Sequence, residues 1–326
     1  MGMLAACHDA APLAPDAAPG ITDAAPNAAS LPLGSVTSVV PMASCPPGAM
    51  PGATCSTITV HCPGIDDLAA TIAVTTPSGA TKGTIFAHLG GGGLEFFTSN
   101  LAAMAGGNYR TFQIAWASDW EQTSAGILQG ACRPATAMQW AFDHVQMGDT
   151  STAFCGVGHS GGSGVLAYAL AHYGMGRILD YAQLQAGPPF GRIDYGCAPT
   201  TYSGPPRTLC PQLPDAPLAL PGDKVGPWEN TPACGGPSPT PTDLAKWAAD
   251  SVVSPGAEYA YPHTVVDFID CATNPNGTTG GAYFYSQAIT SEHSVSCPTQ
   301  CSGESLGTDG SAQAVSAMQA QCTPRH

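Results

Sequence analysis

The segment Phe154-Cys155-Gly156-Val157-Gly158-His159-Ser160-Gly161-Gly162-Ser163-Gly164 constrains this chain more than any other. It opens as a short apolar strand, passes through Gly-x-Ser-x-Gly, and continues with small residues suited to a helix start. A strand–turn–helix step of this kind holds its serine on a sharp corner with the hydroxyl clear of the backbone. Gly158 and Gly162 remove the side-chain clash that such a corner would create. The first turn of the helix offers N–H groups without intrahelical acceptors, and these favour an anionic oxygen. Ser160 is therefore a candidate nucleophile.

The flanking sequence alternates strand and helix patterns. Thr57–Cys62 and Ala70–Thr75 alternate polar and apolar residues, as an antiparallel hairpin does. Gly83–Leu89 reads as a buried strand ending in Gly90-Gly91-Gly92-Gly93, and Tyr109–Ala115 as another, followed by an aromatic loop from Trp116 to Trp120. Helical spacing covers Pro134–Val145 and Ser163–Tyr173, with strands at Thr152–Val157 and Tyr181–Ala186. A helix over Thr242–Val253 capped by Thr242 or Asp243, a strand at Thr264–Asp270 and a helix at Ser311–Gln321 complete the pattern. Strands separated by helices imply a mostly parallel sheet covered on both faces. Residues 187–240 interrupt the alternation with prolines, glycines and three cysteines, as a lid-like insertion does.

Residues 1–34 are of a different kind. Beyond residue 7 they are mainly Ala, Pro, Asp, Gly and Asn, too poor in apolar surface to order themselves, so a tether is expected before a domain at 35–326. Leu4-Ala5-Ala6-Cys7 has the form of a bacterial lipobox, which makes Cys7 a candidate lipid anchor. Only six residues precede it, with neither a basic region nor a full apolar stretch. The chain holds 13 cysteines, without the close pairs of a zinc site, so a disulfide framework and an oxidising, extracytoplasmic setting are expected. Setting Cys7 aside leaves an even number. Nine basic side chains against 23 acidic ones give a net charge of −14, which leaves no basic patch for nucleic acid.

Phe86-Ala87-His88-Leu89-Gly90-Gly91-Gly92-Gly93 lies one strand–helix step before the serine corner. Together the two motifs resemble the α/β-hydrolase fold of serine esterases and lipases, over roughly Thr57 to Cys322. The resemblance implies Ser160 as nucleophile, with the Gly161 N–H as one oxyanion donor and a residue within Gly90–Gly92, taken as Gly91, as the other. It also implies an acid after the penultimate strand and a histidine after the last. Asp270 closes the strand Thr264–Asp270 and is the expected acid, with Asp267 second; a later position would fall on Asn274, which carries no charge.

The histidine depends on which segment is the last strand. If Gly281–Ile289 is a helix and His293–Cys297 the strand, the following loop, Pro298–Glu304, has no histidine and His293 sits at the wrong end. If Ala282–Thr290 is the strand, His293 follows it, but the crossover before it is short. By elimination His293 is the expected base. The resemblance thus implies a carboxylic-ester hydrolase that needs no metal or organic cofactor, acting as a monomer on a small-molecule or polymeric ester. Phe96 and Trp116 are the expected substrate contacts. A fold that has kept the corner and lost its base, serving as a binding module, is the competing expectation.

Overall fold

A computed structural model describes residues 30–198, 202–210, 239–272 and 277–326. The lipobox with Cys7, the tether as far as residue 29, Asn274 and most of the 187–240 insertion lie outside the described residues.

The nine strands are β1 (Ser35–Pro41), β2 (Thr54–Cys62), β3 (Ile65–Thr75), β4 (Gly83–His88), β5 (Tyr109–Trp116), β6 (Ala153–His159), β7 (Tyr181–Gln185), β8 (Val265–Ile269) and β9 (His293–Ser296). They form one sheet in the order β1-β2-β3-β5-β4-β6-β7-β8-β9. The first three strands pair antiparallel, and β3 meets β5 antiparallel. From β5 to β9 every pairing is parallel. The helices are α1 (Leu101–Ala105), α2 (Ile127–Gly130), α3 (Cys132–His144), α4 (Gly161–Tyr173), α5 (Ile193–Cys197), α6 (Pro241–Ala249), α7 (Gly277–Ala288) and α8 (Gly307–Gln321).

Both sheet faces are covered, as parallel strands buried on two sides require. Phe86, Phe112 and Phe154 point into a core with α3 and α4, while Ile85, Ala87, Cys155 and Val157 point to the opposite side with α1 and α8. Every residue of α4 is buried, so this helix lies inside the domain. It packs close to β6 because β6 presents glycines to it. A Cβ at Gly156 would fall 2.7 Å from Leu166, and one at Gly158 would fall 2.1 Å from the Gly162 carbonyl oxygen.

Three elements differ from the sequence expectations. The edge strand β1 lacks an apolar face, being mostly exposed, and is recognisable only through its pairing with β2. Helix α6 starts earlier than its composition indicates, because Thr240 caps it in a reciprocal box with Asp243, with Pro241 at its first turn. The stretch before His293 is the helix α7, so β9 begins at His293.

Five disulfides join described residues: Cys45–Cys55, Cys62–Cys132, Cys155–Cys322, Cys210–Cys297 and Cys271–Cys301. Bridges in such number mark a chain that matures in an oxidising compartment. Among the described residues no helix is long and apolar enough to cross a membrane.

Candidate active site

Ser160 stands between β6 and α4 with φ 53° and ψ −116°, a backbone conformation that side chains other than glycine rarely adopt. The surroundings hold it there. Its N–H donates to the Gln185 carbonyl at 2.8 Å, and its own carbonyl accepts the Ser163 N–H at 2.9 Å and the Gly164 N–H at 3.2 Å. Backbone from the glycine run closes over the corner. A Cβ at Gly90 would fall 2.8 Å from the Ser160 Cβ, and one at Gly161 would fall 2.4 Å from the Gly91 carbonyl oxygen. Gly91 lies in left-handed backbone at φ 58°, against the first turn of α4. Gly161 and Gly91 are therefore side by side next to Ser160.

The glycine run is a fixed turn. The Gly93 N–H returns to the Gly90 carbonyl, and the N–H groups of Trp116 and Trp120 hold the carbonyls of Gly93 and Gly92. His88 anchors its base. The indole N–H of Trp116 donates to His88 Nε2 at 2.9 Å, so that nitrogen is the acceptor and Nδ1–H donates to the Leu89 carbonyl at 2.7 Å. Burial pushes this imidazole down to about 4, so it stays neutral and cannot serve as a base for Ser160.

Asp270 follows β8 at the level of the corner: Ala186 donates to Ile269, and Asp270 donates to Ser296 of β9. Two strand spacings, roughly 10 Å, separate it from the Ser160 strand. Its carboxyl is 1% exposed, the Thr279 hydroxyl donates to Oδ1 at 3.3 Å, and Oδ2 has no hydrogen-bond partner. Burial raises it to about 7, with the nearby Glu304 charge acting in the same direction. Asp267 lies deeper, accepting from Tyr181 at 2.9 Å and Ser294 at 2.6 Å, and does not reach the carboxyl edge.

His293 requires a correction. It starts β9 opposite Val266, at the amino end of the strands, whereas Ser160 and Asp270 occupy the carboxyl end. Its ring is exposed and its Nδ1 sits 2.9 Å from the Ser291 carbonyl. The parallel β8–α7–β9 crossover causes this, because a strand that enters at His293 delivers only Cys297 onward to the active edge. Sequence reasoning passed over Glu304. Its one signal was that the loop expected to hold the histidine carries this carboxylate.

Phe96 and Trp116 are buried residues lining a cleft of about 650 Å³ with Leu89, Leu94 and Glu95. The glycine turn lies between this cleft and Ser160, since Gly90 touches Ser160 and Gly93 touches Trp116. Trp120 and Phe97 belong to the core. Among the described residues no cluster of His, Cys, Asp and Glu is placed to hold a metal ion.

This sheet order, with a strained serine between the central parallel strand and a buried helix, decides the architecture. The fold is that of the α/β-hydrolases. Solved structures with the same fold include acetyl xylan esterase 1 from Thermoanaerobacterium sp. JW/SL YS485, at a TM-score of 0.54 and 10% identity over 86% of each chain. The acetyl xylan esterase from Paenibacillus sp. R4 matches at a TM-score of 0.54 and 10% identity, over 87% of this chain and 88% of its own. A puromycin-hydrolyzing peptidase from Mycobacterium tuberculosis matches at 0.50 and 10% identity, over 78% of this chain and 37% of its own. No protein-family model matches the chain, and no curated protein sequence matches it significantly.

Buried ionisable groups set the pH response of this α/β-hydrolase domain. Burial raises Asp250, Asp270 and Glu121 to about 7 and lowers His88 and His172 to about 4. Between the ordinary carboxylate value and about 7, the folded state keeps three protons that the unfolded chain has released, so stability falls as pH rises. The two histidines oppose this only between about 4 and 6.5, where the unfolded chain alone takes up their protons. Three groups outweigh two. Thermal melts should give a higher Tm near about pH 5 than near about pH 8, and the reverse order would refute this balance.

Proposed function

We propose that this chain is an exported serine hydrolase that cleaves carboxylic esters through an acyl-enzyme on Ser160. The observation that carries the reading is the strained Ser160 corner with Gly91 backbone pressed against Gly161. Strain maintained at a polar, nucleophilic residue is costly and is characteristically found at functional sites. In acyl transfer the Ser160 oxygen bonds to the carbonyl carbon, and the electron pair moves onto the carbonyl oxygen. The N–H groups of Gly161 and Gly91 then stabilise that oxygen.

The substrate is a small-molecule or polymeric ester. The names of the acetyl xylan esterases support an ester of an oxygen-rich alcohol, and the cleft beside Phe96 and Trp116 supports an apolar or aryl group on the other side of the glycine turn. Disulfides support export. Attachment through a lipidated Cys7 is part of the same reading, as is action as a monomer.

A second reading, an α/β-hydrolase-fold binding module without turnover, is favoured by one observation: the rings of the described histidines are engaged elsewhere. A membrane-impermeant fluorophosphonate applied to intact cells separates the two. Labelling that disappears in Ser160→Ala is expected. Failure of the folded wild-type chain to label in lysate would remove the hydrolase reading, and labelling in lysate alone would remove export.

A further inference from the structure

An α/β-hydrolase serine needs a proton acceptor, and the histidines do not supply one. His61 is paired with Asp67, His144 stacks on Trp140, and His172 is buried against the Val252 carbonyl. His263 and His326 lie against each other near the chain end, and His293 is at the opposite rim. His159 precedes the nucleophile, but its Nε2 is 2.9 Å from the Glu304 carbonyl oxygen, to which it can only donate.

That last contact locates a different group. After β9 the chain turns back across the carboxyl edge of the sheet, past β8 and β7, to reach β6. Its course is fixed at several points. Cys297 is bonded to Cys210, the Ala272 N–H donates to Pro298, and Cys301 is bonded to Cys271, the neighbour of Asp270. Ser302 and Ser305 then exchange backbone hydrogen bonds at 3.1 and 3.0 Å around a tight turn, with Gly303 at φ 58°. Glu304 is at the tip of this turn. Its backbone is held at the residue before Ser160, and its carboxylate is close enough to Asp270 to act on that group's charge. The side chain therefore belongs to the gap between Ser160 and Asp270.

We propose that Glu304 is the general base for Ser160, with Asp270 as the positioning residue that holds the Glu304 carboxylate. The inference rests on the serine-hydrolase reading above. Asp270 is suited to positioning, because its Oδ2 is fully buried without a partner and a protonated carboxyl there donates a hydrogen bond to a carboxylate. The groups facing it are Glu304, the Thr279 hydroxyl and the Gly187 N–H.

The cycle balances with these parts. Glu304 takes the Ser160 hydroxyl proton as Oγ bonds to the ester carbon. The tetrahedral intermediate collapses, the bond from carbon to the alcohol oxygen breaks, and neutral Glu304 returns the proton to the departing alcohol. Water then gives a proton to Glu304 and its oxygen bonds to the acyl carbon. Ser160 leaves, recovers that proton, and the carboxylic acid is released. A carboxylate is a weaker base than an imidazole, so turnover is slow and works on the acid side of neutrality.

The test uses the full chain with p-nitrophenyl acetate. Glu304→Gln, which keeps the shape of the turn, should lower kcat about a hundredfold or more, with KM and the thermal melt little changed. The wild-type rate should rise with pH through the ordinary carboxylate range and fall near 7, as Asp270 ionises against Glu304. In Asp270→Asn, which keeps a donor and cannot ionise, the alkaline fall should vanish. Glu304→Gln with wild-type kcat, while Ser160→Ala is inactive, would overturn the assignment of Glu304 and leave the esterase standing. An acid limb at the imidazole value would do the same. A wild-type chain that neither turns over ester nor takes up fluorophosphonate would overturn both readings.

Discussion

Gly161→Ala should lower kcat/KM for an ester about a thousandfold while the domain stays folded, because it removes the approach that builds the oxyanion site. The added Cβ would fall 2.4 Å from the Gly91 carbonyl oxygen and 3.0 Å from the Gly91 nitrogen. Both are backbone atoms, so no side chain can swing aside. The Gly91 peptide must retreat, yet its turn is tied down by Trp116, Trp120 and His88. The outcome is a few tenths of an ångström to one ångström of misplacement in two donors at once. Loss of a single oxyanion donor costs about 2.7–4 kcal/mol of transition-state stabilisation, which sets the scale. Gly79→Ala is the control, since nothing lies within 4 Å of its Cβ position. Kinetics on both variants, with melts to confirm folding, would decide; a Gly161→Ala enzyme within tenfold of wild type would show that these N–H groups do not bind the oxyanion.

The contrast between the legible and illegible parts of this site has a physical origin. The corner could be read from sequence because its demands are local. A strand, a left-handed serine and close helix packing need Gly156, Gly158, Gly161 and Gly162 within a few residues of one another. The parallel core strands were legible for a similar reason, as β4, β6, β7 and β8 are buried throughout or nearly so. His293 was misplaced because its position depends on whether residues 277–288 form a helix or a strand. Tyr283 and Tyr285 alternate as a strand would, yet Ala282, Tyr285, Ala288 and Ile289 bury one helical face. Short aromatic segments leave that choice to tertiary packing. Glu304 was illegible for a longer-range reason. Its place beside Ser160 follows from Cys271–Cys301 and Cys210–Cys297, and pairings among so many cysteines cannot be deduced from sequence.

The same framework predicts the largest loss of stability, in a Cys155→Ala/Cys322→Ala double variant. This bridge spans 167 residues and joins β6, the strand that delivers Ser160, to the residue after α8. In the chain-entropy account a bridge restrains the unfolded chain more as its loop lengthens. Cys210–Cys297 and Cys271–Cys301 already shorten the path between its ends, so its effective loop is smaller than the sequence separation. The expected cost is about 4 kcal/mol, a Tm lower by roughly 10 °C for a domain of this size. Replacing both cysteines avoids a free thiol that would attack the other bridges. Both sulfurs are buried in the second core, so reductant should leave the bridge intact until the domain opens. Helix α8 also has independent anchors, with Gln183 donating to the Ala314 carbonyl and Tyr109 to the Cys322 carbonyl. The variant should therefore fold at 25 °C with its Ser160 site intact, and calorimetry should show the loss as a shifted transition. A Tm within two degrees of wild type would mean that α8 holds its place through packing and those two hydrogen bonds alone.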